Sequence, residues 1–208
     1  MAISTYSELT AAIADWLNRS DLTSAIPSFI SLSEAQMNRN LRVRQMVSRS
    51  EATIDTKYSA LPAGFLETKN FKVISSNPIT PIEFATEEQL DDYDSSTTAA
   101  GKPKYFGVVG NQVRVHPSPD TGYTCELVYY TQIPALSGTN TTNWLLTSSP
   151  DAYLYGALSQ SAPYLKDDER IAVWASLYTS ALESIKNADI KSNGAGLMKA
   201  RVKPFGVR

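Results

Sequence analysis

Tyr105-Phe106-Gly107-Val108-Val109-Gly110-Asn111-Gln112-Val113-Arg114-Val115-His116 reads as two five-residue strands, Tyr105 to Val109 and Gln112 to His116. Between them Gly110-Asn111 supplies residues able to take the positive φ that a two-residue hairpin turn demands. This hairpin fixes the middle of the chain as antiparallel sheet. Pro117-Ser118-Pro119-Asp120-Thr121-Gly122 then forms a turn into a further strand, Tyr123 to Thr131. Upstream, Val47 to Asp55 and Thr68 to Ser75 are strand candidates. Between these two lies Leu61-Pro62-Ala63-Gly64-Phe65, where Pro and Gly suit positions i+1 and i+3 of a type I turn. Connections between the later strands are too short for a crossover helix, so the expected sheet is an antiparallel meander. Glu83 to Asp94 carries six acids and no base, with one helical turn near Glu87 to Leu90, and Ser95 to Gly101 is a loop of small residues. The expectation for this stretch is a solvated, mobile excursion.

On both sides of the sheet the period becomes helical. Thr5 and Glu8 have capping-box spacing, and Tyr6, Leu9, Ile13, Trp16 and Leu17 share one face of a helix from about 5 to 18. Pro27 suits the first turn of a second helix, and Ile26, Ile30, Met37 and Leu41 give it an apolar stripe to about residue 42. Downstream, Ser149 as cap, Pro150 and Asp151 open a helix from about 150 to 165. Asp167-Asp168-Glu169 starts another, whose stripe of Ile171, Trp174, Leu177, Tyr178, Ala181, Leu182 and Ile185 runs to about 190. Gly194 and Gly196 end regularity. The predicted fold class is α+β. Residues 1–45 and 145–190 form an antiparallel helical bundle, residues 46–144 a projecting antiparallel β insertion with its acidic loop, and residues 191–208 an extended basic arm.

Length permits one well-buried domain, or a helical layer with a smaller appended layer, but hardly two full-sized domains: there are 208 residues, 42% of them hydrophobic and 19% charged. The 42 Ser and Thr and 11 Tyr give a surface whose polarity rests on neutral hydroxyls, able to dehydrate cheaply against a partner. The net charge of -2 hides an asymmetry. Lys191, Lys199, Arg201, Lys203 and Arg208 make the last 18 residues +5 with no acid, leaving 14 basic against 21 acidic side chains, or -7, in residues 1–190.

A single cysteine, Cys125, and a single histidine, His116, exclude disulfide frameworks, multi-cysteine zinc sites and His-pair metal motifs. No basic, apolar leader opens the chain, and no apolar run approaches the roughly 20 residues that span a bilayer. The expectation is a soluble protein of a reducing compartment, with no cofactor, metal or membrane partner. Covalent hydrolysis would need His116 as base, yet it closes a strand before Pro117 and no G-x-S-x-G elbow occurs; a half-exposed strand-end histidine is expected. Cys125 alternates with Thr124 and Glu126 and is read as buried packing. Asp91-Asp92-x-Asp94 lacks the glycine and terminal Glu of a Ca²⁺ loop, and Asp167-Asp168-Glu169 sits where acids stabilise a helix start. No phosphate-binding loop is present. No catalytic residue is assigned.

Two basic groups remain. Arg39, Arg42, Arg44 and Arg49 lie where the second helix ends and the sheet begins. They serve either as a solvated helix terminus favoured by the dipole, or as a patch for subunit pairing or DNA phosphates. An acidic body argues against sequence-specific DNA reading. In the arm, Lys199, Arg201 and Lys203 alternate with Ala200 and Val202, so an extended segment shows cations on one face and apolar groups on the other. That pattern suits addition to a sheet edge or an acidic groove. Phe205 and Val207, before Arg208, are candidate terminal pegs. Eighteen extended residues reach on the order of 60 Å, enough to cross a neighbouring subunit.

Several stretches, in order along almost the whole chain to about residue 190, resemble the head-to-tail adaptor, or connector, proteins of tailed bacteriophages. Tyr6-Ser7-Glu8-Leu9, Ala14-Asp15-Trp16-Leu17-Asn18-Arg19-Ser20-Asp21-Leu22 and Glu34-Ala35-Gln36-Met37-Asn38-Arg39-Asn40-Leu41-Arg42-Val43-Arg44 come first. Leu61-Pro62-Ala63-Gly64-Phe65-Leu66-Glu67, Lys102-Pro103-Lys104-Tyr105, Leu127-Val128-Tyr129-Tyr130 and Trp144-Leu145-Leu146 follow. Asp151-Ala152-Tyr153-Leu154-Tyr155-Gly156-Ala157-Leu158 and Pro163-Tyr164-Leu165-Lys166-Asp167-Asp168-Glu169-Arg170 complete the series.

The resemblance implies a non-enzymatic virion protein at the head–tail junction, assembled in the host cytoplasm. It implies a ring of its own copies, a dodecamer, that docks on the portal after DNA packaging. The ring continues the DNA channel, with transient nonspecific contact to the genome, and offers its far face to tail or nozzle proteins. Portal contact then falls to the arm, at Lys199, Arg201, Val202, Lys203, Phe205, Val207 and Arg208. Arg39, Arg42, Arg44 and Arg49 face either the acids of Glu83 to Asp94, within or between subunits, or the channel. The competing expectation is an accessory protein that binds DNA nonspecifically through its basic tail.

Overall fold

The computed structural model of the chain describes residues 3–97, 99–165 and 169–194; of the predicted extended arm, residues 191–208, the first four are instead helical, and the rest lies outside the described residues, as do Asp167 and Asp168. Six α-helices occur among the described residues: α1 Tyr6–Leu17, α2 Ile26–Asn40, α3 Glu87–Ser96, α4 Trp144–Ser148, α5 Pro150–Gln160 and α6 Arg170–Gly194. The strands are β1 Val47–Ile54, β2 Tyr58–Ala60, β3 Phe65–Val73, β4 Thr80–Pro81, β5 Glu83–Phe84, β6 Tyr105–Val109, β7 Gln112–His116 and β8 Tyr123–Thr131. The chain is α+β and divides into two compact units, one drawn from the segments up to Gln45 and from Ile133 onward, the other from Met46–Gln132.

In the helical unit, local chemistry sets the ends. The Thr5 hydroxyl accepts from Glu8 N at 3.3 Å while Glu8 Oε2 accepts from Thr5 N at 3.0 Å, completing the capping box. Asn18, at φ 52°, closes α1 in the left-handed region. The core is built from Leu9, Ile13 and Leu17 of α1, from Phe29, Ile30 and Met37 of α2, and from Leu145, Tyr153, Leu158, Trp174 and Tyr178. Helix α5 packs against α1, α2 and α6. Gly156 permits that approach: a Cβ there would lie 2.1 Å from Ser33 Oγ and 3.0 Å from Tyr178 Cε2. The predicted stripes are wider than the buried ones. Trp16 is 43% exposed, edge-on to Tyr155, and Leu177 is 38% exposed, because α6 buries only the side it turns to α5.

Two helix signals need correction. The Ser149 side chain makes no cap bond; its N–H instead closes α4 on Leu145 O at 2.7 Å. The helix opened by Pro150 ends at Gln160, followed by a short 3₁₀ turn at Ala162–Tyr164, rather than running to about 165.

In the second unit the sheets run β1-β8-β3-β4 and β2-β7-β6-β5. Ile54, Phe71, Val73, Phe106, Val115, Cys125 and Leu127 belong to one buried cluster drawn from both sheets, with Phe71 and Phe106 edge to face at 5.2 Å. The hairpin quoted above is β6-β7, with Gly110 at φ 59°. The predicted meander is not what forms. β8 lies between β1 and β3, pairing antiparallel with both, so these two early strands never pair with each other. β5 and β6 pair in parallel, and α3 is the crossover between them. The excursion predicted as solvated and mobile is thus a strand and a ten-residue helix. It is anchored by Leu90, fully buried, whose Cδ1 would lie 2.7 Å from a Cβ at Gly107. Thr86 caps α3 by the same box motif as α1, with Gln89 as the reciprocal partner. The turn at Pro62-Ala63-Gly64-Phe65 closes through Phe65 N to Pro62 O, placing Gly64 at i+2 with φ 71°. That is the type II requirement, one residue later than the predicted type I turn.

Candidate assembly surfaces

The basic cluster is divided by the fold. Arg39, Arg42 and Arg44 lie in the helical unit and Arg49 in the β unit. The Arg42 guanidinium donates to Asn38 O at 2.7 Å and Leu41 O at 2.6 Å, so it caps the carbonyl end of α2. Arg44 is exposed, and its backbone N donates to Asp189 Oδ1 at 3.0 Å. Arg39 is also exposed, in the last turn of α2. Arg49 pairs with Glu51 on its own strand and with Glu126 on β8, which also receives Lys72 Nζ at 2.6 Å from β3. Across three adjacent strands this forms a charge ladder on one face, and hydrogen bonds from Lys72 and Arg49 hold the Glu126 carboxyl below its ordinary range.

The acids of Glu83 to Asp94 separate into two sets. Glu83, Glu87, Glu88 and Asp92 are exposed. Asp91 and Asp94 turn onto the sheet: Arg114 Nη2 lies 2.5 Å from both carboxylates, Lys57 Nζ 2.5 Å from Asp94 Oδ2, and His116 Nδ1 2.9 Å from Asp94 Oδ1. Burial pushes the Asp94 carboxyl up, but the hydrogen bonds from Lys57, Arg114 and His116 overcome it and hold the group well below the carboxylate range. Alternation along β7 explains the arrangement. Val113 and Val115 face the sheet-to-sheet core, while Arg114 and His116 face α3. His116 is therefore 5% exposed rather than half-exposed, and it orients α3 together with Asp94. A cavity of about 150 Å³ beside it is lined by Lys57, Asp94, Thr97, Ala99, His116 and Ser118. Burial pushes the Cys125 thiol up to about 11, which suits a packing residue. Among the described residues, no group of three or more metal-ligating side chains is placed to hold an ion, and no helix is long and apolar enough to cross a membrane.

A second polar cluster went unrecognised in the sequence. Glu34 Oε1 accepts from Leu136 N at 2.8 Å and from the Tyr153 hydroxyl at 3.1 Å. Asn143 Nδ2 donates to Tyr153 Oη at 2.7 Å and to Pro134 O at 2.8 Å, and Asn38 Oδ1 accepts from Ile133 N at 2.8 Å. Glu34 and Asn38, one turn apart on α2, thereby hold residues 133–143 onto the helices, where the sequence had grouped them with the β part. Burial raises the Glu34 carboxyl. The only sequence signal was a Glu and an Asn at i, i+4 on an otherwise apolar side of α2.

The β unit also carries a groove beside β3. β3 pairs with β8 over most of its length, but with β4 only at Lys72 and Val73. Beside residues 65–70 of β3 opens a groove of about 550 Å³, whose apolar wall includes Phe71, Ile82, Phe84, Phe106 and Val108. Phe84 is 67% exposed and Val108 40%.

The described residues thus form two units whose buried polar groups hold elements together, with a part-apolar groove beside β3. The family model for the SU10 adaptor protein matches residues 4–200, and the chain belongs to that family of phage head–tail adaptors. A comparison with curated proteins finds no match. Membership fits a structural role in the virion and implies interaction with portal and tail components. Adaptor families of this kind are generally non-enzymatic.

Proposed function

We propose that the protein assembles as a dodecameric ring that docks on the portal after DNA packaging, continues the DNA channel and presents its far face to tail or nozzle proteins. The observation that carries this reading is the family match across residues 4–200, nearly the whole chain. The helical unit serves as an antiparallel bundle, and the arm grips the portal through Lys199, Arg201, Val202, Lys203, Phe205, Val207 and Arg208. Ring closure requires a patch on one copy to meet a different patch on the next. With Asp91 and Asp94 paired to Arg114 of their own unit, Glu83, Glu87, Glu88 and Asp92 are the acids left to face Arg39 and Arg44 of a neighbour. Arg42 supports that face as a helix cap, and Arg49 contributes the charge ladder.

The +5 charge of residues 191–208 also supports a second reading, nonspecific DNA binding by the tail. Deleting residues 195–208 separates the two while leaving α6 whole. The adaptor reading expects loss of portal docking with the helical signal retained. Loss of DNA binding with portal docking intact would favour the alternative.

A further inference from the structure

We propose that Ile79 of one copy enters the cavity between β1 and β2 of the next copy, as an apolar contact of the ring. This deepens the ring reading and rests on it. The cavity has a volume of about 160 Å³ and lies between the two sheets of the β unit. It leads from the surface to the core: Ala52 and Ala60 stand exposed at its mouth, whereas Ile54, Phe71, Cys125 and Leu127 line it and are buried. Among the described residues β1 pairs only with β8 and β2 only with β7, so no further strand covers this side. Such a space suits one apolar side chain. An apolar cavity of about 150 Å³ takes up benzene, and the four side-chain carbons of an isoleucine are smaller than that ring.

Ile79 is the matching half. It is 58% exposed, beside exposed Asn77 and Pro78, in the turn from β3 to β4. Lys102 braces that turn, its Nζ donating to Ser76 Oγ at 2.6 Å and to Thr80 Oγ1, so Ile79 is presented from a fixed base. Strand register sets peg and cavity at opposite ends of one row. Ala52 pairs with Cys125, Cys125 with Val73, and Val73 with Thr80. One end of the row is the mouth of the cavity, and the other adjoins Ile79. A shift along the row carries Ile79 of one copy to Ala52 of the next, and unlike surfaces at opposite edges are what a head-to-tail ring contact requires.

Charge selects the same pairing. Lys102 has neutral hydroxyls as its partners, and Asp55 is exposed without a cation beside it among the described residues. β1 and β3 run in the same direction, each antiparallel to β8. Asp55 follows Ala52 by three residues, and Ser76, which holds Lys102, follows Val73 by three, so the two charges are level on opposite edges. Docking Ile79 therefore brings Lys102 of one copy toward Asp55 of the next. The contact adds to the pairing of Arg39 and Arg44 with a neighbour's acids and takes no residue from it.

The test assembles the full-length chain on portal rings of the same phage and reads the concentration at which half the portals carry an added ring. Ile79→Asp, at an exposed position, and Ala60→Phe, which fills the mouth, are each expected to raise that concentration about tenfold, and Ile79→Val to leave it within about threefold. Lys102→Glu and Asp55→Lys are each expected to raise it about fivefold, and the two together to restore the parent value, a recovery that local damage would not give. In a mixed ring under mild oxidation, Ile79→Cys copies are expected to form about tenfold more covalent dimer with Ala52→Cys copies than Asn111→Cys copies do. Asn111 is the control because its carbonyl accepts from Leu61 N, on the cavity side of the unit and away from Ile79. Ile79→Asp rings that form at the parent concentration, charge variants without recovery, or equal dimer from Asn111→Cys overturn the inference. So does a link from Ala52→Cys to a portal chain, which would give the cavity to the portal. A parent chain that adds no ring to portals at any concentration overturns the adaptor reading itself.

Discussion

The helical unit and the β unit each fix an outlying segment with one carboxylate, and the two solutions are opposite in charge logic. In the helical unit Glu34 is buried among neutral partners, a backbone N–H and a tyrosine hydroxyl, and burial raises its pKa. In the β unit Asp94 meets Lys57, Arg114 and His116, and their hydrogen bonds outweigh burial and lower its pKa. The first holds residues 133–143 on α2 and α5; the second holds α3 on β7. The difference teaches where each attachment fails. A carboxyl among neutral donors is disfavoured when it ionises, whereas one among cations is disfavoured when it is protonated.

The largest expected effect breaks the helical attachment. Glu34→Ala leaves the Leu136 N–H and Tyr153 hydroxyl unpaired in the interior and is expected to cost about 3 kcal/mol in urea unfolding. Glu34→Gln keeps an acceptor and stays within about 1 kcal/mol. In the β unit, Asp94→Ala leaves the buried Arg114 with Asp91 alone and is expected to cost about 2–3 kcal/mol. Hydrogen exchange should rise in α3 and not in the strap of residues 133–143. A rise in both would show that the two attachments are not independent.

Titration sharpens the contrast further. Because the folded Asp94 pKa is depressed, its contribution is present above the unfolded value of about 4 and is lost as pH falls toward the folded one. Because the Glu34 pKa is raised, its contribution is present below about 4 and declines as pH rises through the folded value. Stability profiles of Asp94→Asn and Glu34→Gln, each compared with the parent, should therefore diverge in opposite directions with pH. Profiles that shift the same way would contradict the pairing described. A smaller effect separates close packing from polar attachment: Gly156→Ala, forced against Ser33 and Tyr178, is expected to cost about 1–3 kcal/mol with no pH dependence.

What the sequence disclosed follows from the range of the forces involved. Capping at Thr5, Pro150 at a helix start and the Gly110-Asn111 turn are decided within a few residues, and each appears where the local chemistry puts it. Strand partners are not local. The alternation in β8 shows one face for Cys125 and Leu127, but nothing in it says that β1 and β3 flank it on either side. The acid count of Glu83 to Asp94 suggested solvation, since the compensating charges, Lys57, Arg114 and His116, come from elements 20 or more residues away. Likewise Glu34 meets its partners only through 102 and 119 residues of separation. The groove beside β3 was invisible for the same reason, since its wall joins Phe71, Ile82, Phe84 and Phe106 from separate stretches of chain.

The adaptor assignment itself is tested most directly by electron microscopy of the full-length chain mixed with purified portal rings of the same phage. The account predicts a further ring of density on one end of each portal, with as many copies as the symmetry of that ring. Portals that remain bare at concentrations well above that of the ring would contradict it.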